Sequence, residues 1–227
     1  MSLQEYFPTD RFSASAHNAV EVFGAAPAGI NLQTALKRGL DLLVAVPVLF
    51  LLLPVLGLAA LAVYLESDGP VLFRQTRLGL NGKPFEIFKF RSMRVTENGS
   101  DVVQAVRGDA RVTRVGRILR ATSIDELPQL LNVISGEMSL VGPRPHPRSM
   151  DKEYGALIST YNLRQNVKPG MTGLAQVNGH RGATPTLETM RDRIALDLTY
   201  AQSVSLALDL KILMRTPLEV LRATNAY

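Results

Sequence analysis

The chain has 227 residues, room for one ordinary domain with an appendage, and no cysteine, which excludes disulfides, thiolate nucleophiles and zinc–sulfur sites. Its formal net charge is +5 and the excess is local, with eleven Lys/Arg against four Asp/Glu between Arg74 and Arg120. A stretch of that kind suits nucleic acid, anionic lipid headgroups or a phosphorylated substrate, but Trp is absent and aromatics make up 6%, so no base-stacking surface for nucleic acid is expected.

Residues 1–30 mix Ser, Ala, Gly and Pro without a sustained period and read as a poorly ordered lead-in. Leu42 through Leu65 is a run of 24 residues without a charge. As a helix it would measure roughly 36 Å, against a hydrocarbon core of about 30 Å. It begins too late and runs too long for a cleaved signal peptide, and membrane insertion is preferred over a buried core helix. Lys37 and Arg38 precede it and Arg74 and Arg77 follow, so both flanks compete for the cytoplasmic side. Pro47 and Pro54 lie inside it. A helix bent near Pro54 that returns to its starting face and a kinked span are both consistent with these residues.

Ser67-Asp68-Gly69-Pro70 predicts a turn, and Val71-Leu72-Phe73 and Phe85–Phe90 predict a small hairpin around Gly79-Leu80-Asn81-Gly82. Residues 96–110 read as a polar loop. Arg111, Arg114, Arg117 and Arg120 recur every third residue with Val112, Val115 and Ile118 between, which predicts a short amphipathic helix over 109–120. Leu127, Leu130, Leu131 and Ile134 form a helical stripe ending at Gly136. Further helices are expected at 151–166, 186–202 and 206–223.

The residues most suggestive of chemistry are Asp125 and Glu126, within Ser123-Ile124-Asp125-Glu126-Leu127-Pro128. One reading is a cap: Ser123 and Glu126 have capping-box spacing, or Asp125 caps a helix that holds Pro128 in its first turn. The other is catalytic. A carboxylate can attack phosphorus and ligate Mg²⁺, and a neighbouring carboxylate can act as a base. Arg120 stands five residues earlier, and Gly142-Pro143-Arg144-Pro145 presents Arg144 from a stiff backbone. Lys168–Gly173 and Asn178–Gly182 are glycine-rich turns with basic groups, and His146 and His180 lack metal-ligand spacing. There is no Asp-x-Asp, no P-loop and no Gly-x-Gly-x-x-Gly.

Together these segments resemble the bacterial sugar transferase family, the small monotopic phosphoglycosyl transferases. The resemblance rests on KRGLDLL (37–43), the apolar run with Pro54, FRQTRLGLNGKPFEIFKFRSM (73–93) and LRATSIDELPQLLNVISGEMSLVGPRP (119–145). KPGMTGLAQVNG (168–179) and DLTYAQSVSLALDLKI (197–212) complete it. The family moves a phospho-sugar from a UDP-sugar to a polyprenyl phosphate such as undecaprenyl phosphate, releasing UMP and starting a surface glycan. The resemblance implies Asp125 as nucleophile and Mg²⁺ ligand, and Glu126 as the group that deprotonates the lipid phosphate. Arg120 and Arg144, with Lys89 and Arg91, would hold phosphate and uridine. It also implies a re-entrant helix broken at Pro54, at the cytoplasmic face of the bacterial inner membrane.

Three positions depart from the family pattern: Leu53 for a Ser, Leu78 for a Pro, and Leu174 for a Trp whose loss would weaken an interfacial anchor. NGHRGATPTLETM and the ending TNAY look most like enzymes that transfer glucose-1-phosphate for exopolysaccharide, which commonly carry a multi-span N-terminal region not expected here. The expectation is thus a mainly α protein with a small β-hairpin: lead-in 1–30, membrane helix-break-helix 31–66, and a cytoplasmic catalytic domain with interfacial amphipathic helices over 67–227. A homodimer is an open option and no nucleic-acid partner is expected. The rivals are a sugar-only glycosyltransferase releasing UDP and a non-enzymatic, membrane-tethered scaffold with a basic lipid-binding face.

Overall fold

The computed structural model describes residues 32–94 and 108–222. The expected lead-in, most of the expected loop at 96–110 and the TNAY ending lie outside the described residues. What is described is mostly helical, with two small sheets and a long apolar N-terminal helix.

Helix α1, Leu32–Glu66, contains both Pro47 and Pro54. Helical structure continues through each, so the break expected at Pro54 does not interrupt it. Each proline removes one main-chain donor, a loss the flanking turns absorb. The helix is long and apolar enough to cross a membrane, and only 11% of its most apolar window is buried. A core helix would be mostly covered.

Both ends of α1 dock on the same body. Near its start, Asp41 accepts from Ser139 Oγ and Leu140 N, each at 2.9 Å. Lys37 Nζ reaches Asp209 at 2.7 Å and the Val141 carbonyl at 3.0 Å, and Arg38 donates to the carbonyls of Val133 and Ile134. Near its end, Ala59 and Val63 pack on Phe90 and Leu119, and the Glu66 carboxylate accepts from Val115 N at 3.0 Å. Between these points, none of residues 50–58 is buried, and Phe50, Leu51, Leu53 and Leu58 are exposed.

Strands β1 (Leu72–Leu78) and β2 (Pro84–Phe90) pair antiparallel from Leu72 opposite Phe90 to Leu78 opposite Pro84. Strand β1 runs well past the expected Phe73 because its inward side chains are polar. Gln75 and Arg77 are buried, and Arg77 donates to Gln75 Oε1 at 2.5 Å and to the Pro145 carbonyl at 3.2 Å. No apolar alternation marks such a strand.

Helix α2 spans Arg114–Thr122, capped by Thr113 Oγ1, which accepts from Gly116 N at 2.9 Å. It starts later than the expected 109 because the Asp109 carboxylate folds onto Arg111 N and pairs with the Arg111 guanidinium at 2.7 Å. A single 3₁₀ turn, Ile124–Glu126, leads to α3, Gln129–Ser135, which ends on Gly136 at φ 88. The next elements are β3 (Ser139–Val141), α4 (Arg148–Leu157), a 3₁₀ segment (Tyr161–Asn166), β4 (Gly170–Thr172), α5 (Leu174–Val177), α6 (Leu187–Gln202) and α7 (Leu206–Arg222). The helix expected over 151–166 is therefore two pieces. The main core joins Ala45, Phe85, Leu130, Val133, Val141, Leu174 and Ile212. Leu174 is buried there, so the expected loss of an interfacial anchor does not apply: that position faces the core.

The parallel pair β3–β4 was not expected, and three glycines allow it. A Cβ on Gly142 would lie 2.3 Å from the Lys168 carbonyl, one on Gly170 2.1 Å from Gly142 N, and one on Gly173 2.2 Å from the Gly142 carbonyl. Main chain passes directly against main chain at this crossing, fixing the segment that carries Arg144. Gly170→Ala should therefore cost about 2–3 kcal/mol through overpacking. Thermal unfolding should show a lower melting temperature, with activity falling further than residual stability alone explains.

Candidate active site

The 3₁₀ turn presents Asp125 and Glu126 between two helices. Ser123 closes α2 in the left-handed region, at φ 61, and supplies no side-chain cap to this turn. Its hydroxyl accepts from Arg181 instead. Pro128, which precedes α3, makes no side-chain cap either. Neither capping reading holds: reversing the chain between the helices uses Ser123, and no helix begins at the acids for them to cap.

The two carboxylates differ sharply in their partners. Glu126 is clamped: Lys89 Nζ donates to Oε1 at 2.8 Å, while Arg144 donates to Oε2 at 3.0 Å and also to Oε1. Burial works to raise the Glu126 carboxyl, but Arg144 and Lys89 carry it well below the usual carboxylate range. Asp125 is 8% exposed and, among the described residues, its carboxylate has no hydrogen-bond or ion-pair partner. Burial, reinforced by the charge of Glu126, pushes it up to about 6 against the pull of Lys89, Arg120 and Arg144. One acid is neutralised by contact, and its neighbour is left strained and open to a ligand.

Of the cations expected at the site, the structure brings together Lys89, from the end of β2, Arg120, from the last turn of α2, and Arg144. Burial lowers Lys89, whereas the Glu126 charge raises Arg144. Arg120 is half-buried and its charge reaches Asp125. Arg91 does not join them. Its guanidinium donates to the carbonyls of Val63, Ser67 and Pro70, satisfying the end of α1. Arg181 does join: it sits on Ser123, half-buried, within the fields of Glu126 and Asp125. The sequence marked its loop only as a basic glycine-rich turn, since nothing local ties residue 181 to residue 125. His146 is buried and hydrogen-bonded, as expected of a loop histidine without a metal role.

The family described as bacterial sugar transferase matches residues 32–223. The chain belongs to that family. A relative in Caulobacter vibrioides, named UDP-glucose:undecaprenyl-phosphate glucose-1-phosphate transferase, is 60% identical over 84% of this chain and 72% of that protein. One of the same name in Escherichia coli is 51% identical over 87% of this chain but only 42% of its own length. An exopolysaccharide production protein of Rhizobium leguminosarum is 46% identical over 82% of this chain and 94% of its own. The chain thus spans less than half of some of the curated relatives it matches and nearly all of others.

In this sugar transferase the unpartnered carboxylate has a cost that a substitution should reveal. The fold lifts Asp125 from an ordinary 3.8 to about 6, so it disfavours the ionised form that prevails above pH 6. Asp125→Asn should relieve a penalty of about 1–3 kcal/mol at pH 7.5. Below about pH 3 the acid is neutral in folded and unfolded chains alike, and the gain should vanish. Melting in chelator-containing buffer at the two pH values checks this: a rise of several degrees only at pH 7.5 is expected.

Proposed function

We propose that this chain transfers glucose-1-phosphate from UDP-glucose to undecaprenyl phosphate, releasing UMP, through a covalent phospho-sugar ester on Asp125. The contrast between the two adjacent carboxylates carries the reading. A nucleophile toward phosphorus must be anionic, buried and free of competing donors, and Asp125 meets those conditions. The names of the relatives supply the sugar and the lipid.

In the first half-reaction an Asp125 carboxylate oxygen bonds to the sugar-bearing phosphorus. The bond from that phosphorus to the bridging oxygen breaks, and its electron pair leaves on UMP. Arg120, Arg144, Lys89 and Arg181 surround the position with positive charge that offsets the charge developing on the phosphoryl oxygens. In the second half-reaction an oxygen of the lipid phosphate bonds to the same phosphorus, and the Asp125 carboxylate leaves. Glu126 accepts the proton if the lipid phosphate arrives protonated. While clamped it is a weak base. The phosphoryl oxygens of the ester and of the lipid phosphate, drawing Arg144 and Lys89 toward themselves, loosen the clamp and restore that basicity.

Mg²⁺ fits this site in one respect: Asp125 offers hard carboxylate oxygens with no other partner among the described residues. No group of three or more His, Cys, Asp or Glu suited to a metal occurs among those residues, so the remaining coordination would come from substrate phosphates and water, as Mg²⁺ commonly accepts. Bound there, it would neutralise diphosphate charge.

The reading places α1 in the membrane as a re-entrant element. Its two ends dock on one body while none of residues 50–58 is buried and most are exposed, which supports entry from and return to the cytoplasmic side. The bacterial inner membrane and the start of exopolysaccharide synthesis follow from the same reading.

The test incubates the purified protein with Mg²⁺, undecaprenyl phosphate and a panel of UDP-sugars. UMP release, greatest with UDP-glucose, is expected. Without lipid acceptor, a burst of UMP no larger than the enzyme concentration should accompany a gain of one hexose phosphate in intact mass, both lost in Asp125→Asn. Release of UDP would point to a sugar-only transferase, and no nucleotide release from folded protein would defeat the proposal.

A further inference from the structure

Beside the catalytic residues lies a second, buried polar cluster that the proposed chemistry does not use. Its centre is Arg164, in the 3₁₀ segment Tyr161–Asn166, only 5% exposed. One guanidinium nitrogen, Nη2, donates to the main-chain carbonyl of Arg144 and lies 3.0 Å from Asp197 Oδ2 on α6. The other, Nη1, donates to His146 Nδ1 at 2.5 Å. The guanidinium carbon stands 5.5 Å from the centre of the Tyr161 ring. Two residues of the Gly-Pro-Arg-Pro segment and its continuation, Arg144 and His146, are therefore held by one buried fork.

The chemistry of the guanidinium fixes the histidine tautomer. An arginine only donates, so His146 Nδ1 accepts and the ring proton sits on Nε2. Burial and the surrounding arginines hold His146 well below its ordinary range, consistent with a neutral ring. The Tyr161 hydroxyl lies between two acceptors, His146 Nδ1 at 2.6 Å and Asp151 Oδ1 at 2.9 Å, and shares its one proton between them. Asp197 is 2% exposed and supplies the opposing charge. His146 and Asp151 are buried as well, so the cluster meets little solvent. What the cluster touches is the backbone that aims the Arg144 side chain.

We propose that Arg164 is a positioning residue: through the Arg144 carbonyl and the His146 ring it sets the direction from which the Arg144 guanidinium meets Glu126 and substrate phosphate. The geometry favours arginine over lysine. A planar fork reaches a carbonyl, an imidazole and a carboxylate at once, whereas an ammonium on a flexible stem keeps the charge opposite Asp197 but loses the fixed directions. The two prolines flanking Arg144 make this control effective. With φ fixed on either side, shifting the 144 carbonyl rotates the whole short segment instead of dissipating in one residue.

As far as turnover is concerned, the inference rests on the proposed function, so the test is built with two independent readouts. Full-length wild type, Arg164→Lys, Arg164→Ala, Arg144→Ala and the Arg164→Ala/Arg144→Ala double variant are compared by UMP release and by melting. Arg164→Lys should stay folded, with turnover lowered at least tenfold and KM for UDP-glucose changed much less. The double variant should turn over within about threefold of Arg144→Ala alone, because Arg164 has nothing left to aim. Melting should show the same coupling: the double variant should lose several degrees less than the sum of the two single losses. Full activity in Arg164→Lys, or losses that multiply in turnover and add in melting, would overturn the proposal. If wild type releases no UMP, the enzymatic reading fails by itself, and the melting cycle still decides whether Arg164 and Arg144 are coupled.

Discussion

Glu126 is where three separated pieces of chain are tied together, and the geometry of the site depends on that tie. Lys89 arrives from the hairpin, Arg144 from the glycine crossing, and Glu126 from the turn between α2 and α3. A buried ion cluster of this kind adds little net stability, since desolvation offsets most of the attraction. Its value lies in direction. Removing any one member strands the others in a poorly hydrated place, so alternative arrangements of the three segments are penalised severely. The cluster also sets the state of Asp125: the Glu126 charge acts on it at close range, while the cations that might have paired with Asp125 are partly spent on Glu126.

The parts of the fold announced by apolar periodicity were legible. The stripe from Leu127 to Ile134, the long helices α6 and α7 and the long apolar helix α1 all appear where their spacing put them. Elements built on polar burial were not. Strand β1 hides Gln75 and Arg77, and no pattern of hydrophobicity signals that. The β3–β4 pair depends on Gly142, Gly170 and Gly173 meeting across more than twenty residues of chain, a contact that no local rule anticipates.

The candidate site divides the same way. Asp125, Glu126, Lys89, Arg120 and Arg144 were named from the motifs and lie together. Arg91, two residues from Lys89 on the same stretch, points away and satisfies carbonyls at the end of α1. Two basic residues at one end of a strand thus serve different partners: Lys89 holds Glu126, and Arg91 secures the end of the long apolar helix. Arg181 and Arg164 escaped notice because their partners are far away in sequence. Arg181 binds a hydroxyl, and the carboxylate that Arg164 meets, Asp197, lies on a different helix, so local charge pattern gives no hint either.

The division of labour between two neighbouring acids follows from their unequal surroundings more than from their chemistry. Both are carboxylates, both are largely buried, and they are neighbours in the chain. Surrounded by donors, Glu126 is stabilised as an anion and correspondingly unreactive. Lacking them, Asp125 keeps its lone pairs available at the expense of stability, a trade common where a fold maintains a reactive group. Exchanging the environments would exchange the roles. The shortness of the turn that presents them contributes to this: the start of a full α-helix would offer both acids free main-chain N–H groups, giving Asp125 the donors it now lacks.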